Sequence, residues 1–252
     1  IPGFKGRGDG MQISENKKAL KDIDPQMRET VGNFPQYWGE QPTTSSPYSG
    51  AILVFLFVFG LFVIKGKLKW TLLIITILSI ALSWGKNMMW FTDLALDYLP
   101  MYNKFRTVTM ALVLAMTAIP ILAILVVDKV IKTPDFFKQK IQLAFIKKEI
   151  TVQTAFFISF ALTGGLSLLF YLMPDTLSDF TWVQDGDIYS NFVKNNGNEV
   201  AQQVFDNIEK ARITIFKSEA IRSFLFIAVA GGLMLLFVKS KINKNILIAT
   251  LG

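Results

Sequence analysis

Two carboxylates and two cations crowd the stretch from Gly85 to Val127 of this 252-residue chain. Asp93 and Asp97 stand four residues apart, which puts both on one face of a helix over 91–99. Such a pair can hold a divalent cation or share a proton. Hard cations take more oxygen ligands than two. With Leu94, Leu96 and Leu99 interleaved, the pair reads first as the solvated face of an interfacial helix and only second as a catalytic or metal-binding pair. Lys104 and Arg106 come next, directly before the apolar run Thr107–Val127. Arg grips phosphate bidentately, Lys acts as a mobile point charge, and a helix N-terminus adds its dipole. A phosphate is one partner for these cations; Asp93, Asp97 or a lipid headgroup are the others. Arg222 is a third cation placed just before an apolar run. Trp38 and Glu40, in Tyr37-Trp38-Gly39-Glu40-Gln41-Pro42, combine stacking and hydrogen bonding as a sugar site does, or else anchor an interface.

Composition removes much other chemistry. There is no Cys and no His, so thiolate nucleophiles, disulfides, Cys/His zinc sites and a Ser-His-Asp triad are excluded. Acid-base work falls to Asp, Glu, Lys or Tyr. Mean hydropathy is +0.41, and the apolar residues come in blocks, which is the pattern of a membrane protein.

The elements that must position these residues follow from those blocks. The expected fold is all-α: a polytopic membrane helix bundle of about five full spans plus a truncated sixth, with helical loops on the outer side. The spans are placed at about 50–64, 70–85, 107–127, 150–173 and 223–238, and a further apolar run begins at Asn245. The second is short, so either Lys69 and Lys86 snorkel or the helix runs on past Trp84. Pro120 is expected to kink the third span, and Gly164-Gly165 and Gly231-Gly232 mark close helix packing. Segment 1–49 reads as an outer loop with one or two short helices between Ser14 and Val31. Segment 86–106 reads as an outer interfacial or re-entrant piece, and 128–149 as a basic inner connector. Segment 174–222 reads as an outer loop in which Val200, Val204, Ile208, Ala211 and Ile215 form an amphipathic stripe that docks on the membrane face. Asp175, Asp179, Asp185 and Asp187 are read there as solvated. Because the chain starts at Ile1 and closes inside an apolar run, it is expected to be an internal piece of a longer protein.

Charge assigns the sides. Segments 65–69, 128–149 and 239–244 together carry twelve Lys/Arg against three acids, whereas the other polar segments carry fourteen against sixteen. The basic set is therefore expected in the cytoplasm. The net charge of +7 then reflects topology and not nucleic-acid binding.

Several short motifs beside successive spans resemble the bacterial YfhO membrane-protein family. They are Ile1-Pro-Gly-Phe-Lys-Gly6, Tyr37 to Pro42, Ser83-Trp-Gly-Lys-Asn87, Tyr102-Asn-Lys-Phe-Arg106 and Lys217-Ser-Glu-Ala-Ile-Arg-Ser223. The resemblance implies a GT-C type glycosyltransferase of the bacterial cytoplasmic membrane. Such an enzyme takes a sugar from a polyprenyl-phosphate donor to an envelope polymer or lipid acceptor outside the membrane. It implies that the catalytic acid lies in a first outer loop absent from this stretch. Lys104 and Arg106, and more weakly Arg222, then meet the carrier phosphate. The residues leave two other readings open, a transporter or flippase of envelope precursors and a structural membrane subunit; whether a divalent cation is needed is also open.

Overall fold

The computed structural model describes residues 12–36, 48–99, 102–104, 108–133, 135–142, 149–176, 179–239 and 245. The chain is mostly helical and divides into two units, one of 1–48 with 168–222 and the other of 49–167 with 223–252.

In the second unit, uncharged apolar runs give helices α2 (Ala51–Val63), α3 (Leu68–Ser83) and α5 (Leu112–Lys132). A further continuous helix covers Val152–Leu172. It comprises α6 (Val152–Phe160), a π-bulge (Ala161–Gly165) and α7 (Leu166–Leu172). The bulge explains a slip in the burial pattern. Val152, Ala155, Phe156 and Ser159 keep helical spacing, but the next buried positions are Gly164 and Ser167. Stacked rings fill the core: Phe156 lies edge-on to Phe55 and Phe59, each at 5.5 Å between ring centres, and meets Phe137 at 5.3 Å. Where α2 crosses α5, a Cβ on Gly60 would lie 2.7 Å from Leu122 Cγ, so only glycine fits there. Ser79 ties α3 to the start of α5, donating to Ala111 O at 2.6 Å and accepting from the Ala115 N–H at 3.2 Å.

The basic connector is not all helix. Lys140–Gln142 and Glu149–Thr151 pair as a two-stranded antiparallel ladder, with Ile141 opposite Ile150.

The first unit gathers around the N-terminal part of α9 (Asn198–Val238). Val204, Ile208, Ala211 and Ile215 are buried against Ile13, Ala19, Ile23 and Val31. The expected stripe therefore exists, but residues 13–31 cover it and not a membrane face; Val200 alone of the five stays exposed. The apparent loop 12–36 thus has a core of its own. A bridge between Gln12 and Pro35 closes it, and the short helix α1 (Arg28–Gly32) forms after Pro25.

Three helices are long and apolar enough to cross a membrane: Leu112–Lys132, Val152–Leu172 and Asn198–Val238. At most 39% of the apolar window of each is buried within the protein. Uncharged surface of that extent belongs in lipid, and the chain is a membrane protein. The expected first two spans are shorter helices, α2 of 13 residues and α3 of 16. At 1.5 Å per residue α2 reaches about 20 Å, short of a hydrocarbon core of about 30 Å. The expected fifth span is the last part of α9, which runs unbroken for 41 residues because no glycine or proline interrupts it before Gly231. The apolar run from Asn245 lies outside the described residues except for Asn245 itself.

Candidate functional site

Within the second unit, the segment after α3 is built to stay put. A 3₁₀ turn (Gly85–Met88) leads into α4 (Met89–Tyr98), and Thr92 on α4 donates to Gly85 O at 2.9 Å. A second 3₁₀ turn, Tyr102–Lys104, is fixed by Tyr102, whose buried hydroxyl donates to Leu82 O at 2.9 Å. Burial holds the Tyr102 phenol above its ordinary pKa, so it stays a neutral donor. Lys104 closes this turn, two residues after Tyr102, and is exposed.

α4 buries only Thr92 and Ala95. Asp93 and Asp97 share its exposed side, as their spacing predicts. Large apolar side chains surround them in the open: Trp90 is 67% exposed and Tyr98 79%. Phe91, Leu94, Ala95, Tyr98 and Leu99 line a shallow groove of about 300 Å³ without a polar surface. Among the described residues, no ion pair joins Lys104 to Asp93 or Asp97, and no group of three acidic side chains could hold a metal ion. Among the described residues, the two aspartates thus stand as an exposed pair without a third acidic ligand.

Arg106, Trp38 and Glu40 lie outside the described residues. Arg222 is on α9, half-buried and already engaged within the protein, as is the buried Glu219. Arg222 is therefore not an open cation like Lys104.

The first unit holds a polar cluster that sequence reasoning missed. Arg212 on α9 is 1% exposed and forms a bidentate pair with Asp185, at the start of α8 (Asp185–Asn196). Two further donors go to Phe180 O at 2.8 Å and Pro35 O at 3.3 Å, and Asp185 also accepts the Trp182 N–H at 2.7 Å. Phe180 turns its carbonyl toward Arg212 from a left-handed backbone, φ 54°, a conformation that a bulky residue adopts only when its surroundings impose it. Asp185 is accordingly not the solvated acid expected from its loop. Asp179 is exposed, and hydrogen bonds from the Thr181 side chain and backbone hold its carboxyl below the ordinary range. One signal for the cluster was present: Arg212 follows Ile208 by four residues and so lies on the buried stripe itself. With all three guanidinium nitrogens bonded to protein atoms, the Arg212–Asp185 pair is a clasp and not a reacting pair.

The candidate site is thus the α4–Lys104 segment, an exposed cation a few residues along the chain from an exposed apolar groove. Comparisons with family models, with curated proteins and with solved structures find no match to the chain.

Proposed function

We propose that the protein is an integral membrane glycosyltransferase of GT-C type. It takes a sugar from a polyprenyl-phosphate donor and passes it to an envelope polymer or lipid on the outer side of a bacterial cytoplasmic membrane, as the YfhO-family resemblance implies. The observation that carries this reading is Lys104, an exposed cation with no acidic partner among the described residues, in the turn that Tyr102 ties to α3 just after the apolar groove of α4. A polyprenyl phosphate has the complementary form: a long apolar tail and an anionic head. As the sugar leaves, negative charge grows on that phosphate, and a preorganised cation stabilises it. Lys104 and Arg106 supply the charge in this scheme, and Trp38 and Glu40 meet the sugar. Asp93 and Asp97 flank the groove, and the catalytic acid belongs to another outer loop. The arrangement in the membrane is then five spans and the start of a sixth, with α2 and α3 as short crossings completed by the turns at their ends.

The test is substitution in the intact protein. Arg106→Ala and Lys104→Ala should each weaken polyprenyl-phosphate binding about tenfold, the usual scale of a charge-assisted hydrogen bond, and should cut sugar transfer without loss of membrane insertion. Wild-type binding and transfer in the double variant would end the proposal.

A further inference from the structure

The opposite end of the second unit collects cations that no carboxylate among the described residues neutralises. α2 ends there at Val63, and its last carbonyls are capped by lysines: Lys69 Nζ donates to Leu61 O at 2.8 Å and Lys129 Nζ to Val63 O at 2.9 Å. Lys65 is near enough to Lys129, and Lys129 to Lys69, for their charges to repel. Three acids are described at this end, and each is taken by another lysine. Asp128 pairs with Lys132 and Asp135 with Lys138, each at 2.7 Å, and Glu149 pairs with Lys140 at 3.8 Å. Among the described residues, Lys65, Lys67, Lys69 and Lys129 are left without a carboxylate.

The setting points to the missing counter-charge. Lys69 lies 5.3 Å over the Trp70 ring and Lys129 5.6 Å over Phe136, an arrangement of cations and rings suited to the bilayer interface. Leu68, between the lysines, is 49% exposed. The backbone at Val63–Lys69 turns through Gly66 at φ +100° with open space beside it. We infer that Lys65, Lys69 and Lys129 form a binding site for the phosphate of an anionic phospholipid headgroup, with Lys67 at its rim. The carbonyl caps hold two of the ammonium groups in place and leave each with further N–H donors for the phosphate. The lipid's acyl chains lie along the exposed apolar surface of α3, where Ile74, Ile77 and Leu78 are about half exposed.

The experiment is thermal unfolding of the purified full chain in neutral detergent, with one additive at a time: phosphatidylglycerol, phosphatidylcholine, or inorganic phosphate. Phosphatidylglycerol should raise the melting temperature by several degrees and the other two should not. Lys65→Gln makes no interior contact in the structure, so it tests the site without disturbing the fold. It should weaken the phosphatidylglycerol effect about fivefold in concentration, and Lys65→Gln with Lys67→Gln further, the scale expected for one cation at an anionic surface. Lys138→Gln, whose partner is Asp135, should leave the response unchanged. Equal stabilisation by phosphatidylglycerol and phosphatidylcholine, or an unchanged response in the double variant, would overturn the site. Stabilisation by millimolar inorganic phosphate would overturn the lipid in favour of a soluble anion.

Discussion

The buried clasp of the first unit shows how much one side chain can organise. Arg212 draws together α9, the start of α8, the Phe180 carbonyl and Pro35. Removing one member of a buried pair strands the other charge, which costs about 3–5 kcal/mol. Arg212→Met should therefore destabilise the protein by about that amount, read as a lowered melting temperature through the fluorescence of Trp182 beside the pair. Arg212→Lys should rescue little, because an ammonium cannot span both Asp185 oxygens and two carbonyls in one plane. A melting temperature unchanged in Arg212→Met would remove the clasp's structural role. The sequence held half of this cluster. Arg212 sits on a visible apolar stripe, but its partner is 27 residues away in a segment without periodicity, and only tertiary packing brings the two together.

At the level of helices, what could be read depended on how local the signal was. The long uncharged runs of α5 and of Val152–Leu172 mark themselves. So do the paired glycines, half of each pair being used. A Cβ on Gly231 would press on Phe156 at 3.3 Å and one on Gly164 on Ile227 at 3.4 Å, whereas Gly165 and Gly232 meet nothing. Residues 13–31 hid their core because Ile13, Ala19, Ile23 and Val31 are set by turns and not by a helical period. The importance of Gly60 was likewise invisible, since it follows from Leu122 and Val126 of another helix. Gly60→Ala should loosen the α2–α5 crossing by about 1–3 kcal/mol, the usual effect of overpacking, although alanine is the better helix former. Gly232→Ala, with open space around it, should be neutral or stabilising by up to about 1 kcal/mol. Thermal melts in detergent compare the two; equal behaviour would contradict the packing described.

For the molecule as a membrane protein, the second unit has two chemically distinct ends. Lys67 precedes α3 and Tyr102 is bonded to Leu82 near its far end, so Lys67 and Lys104 lie at opposite ends of one helix. The chain has no cysteine, so single cysteines at Lys67 and Lys104 report cleanly on sidedness. An impermeant maleimide should reach Lys104→Cys from outside intact cells and Lys67→Cys only after the membrane is opened. Labelling of both from one side would contradict the proposed topology. Charge counting proposes which end faces the cytoplasm, but it could not reveal that the described acids of the basic end are already occupied by other lysines.

The bulge at Ala161–Gly165 gives the helix around it two angular settings. One residue beyond the α-helical count turns everything after it by about 100°. The step from buried Ser159 to the next buried residue, Gly164, is thus five residues, where a regular helix takes three or four. An alignment that counts residues straight through this helix would assign inward and outward positions correctly on one side of Gly164 and wrongly on the other. A deletion of one residue there would close the wide turn into regular helix and leave the later side chains on the faces they hold now.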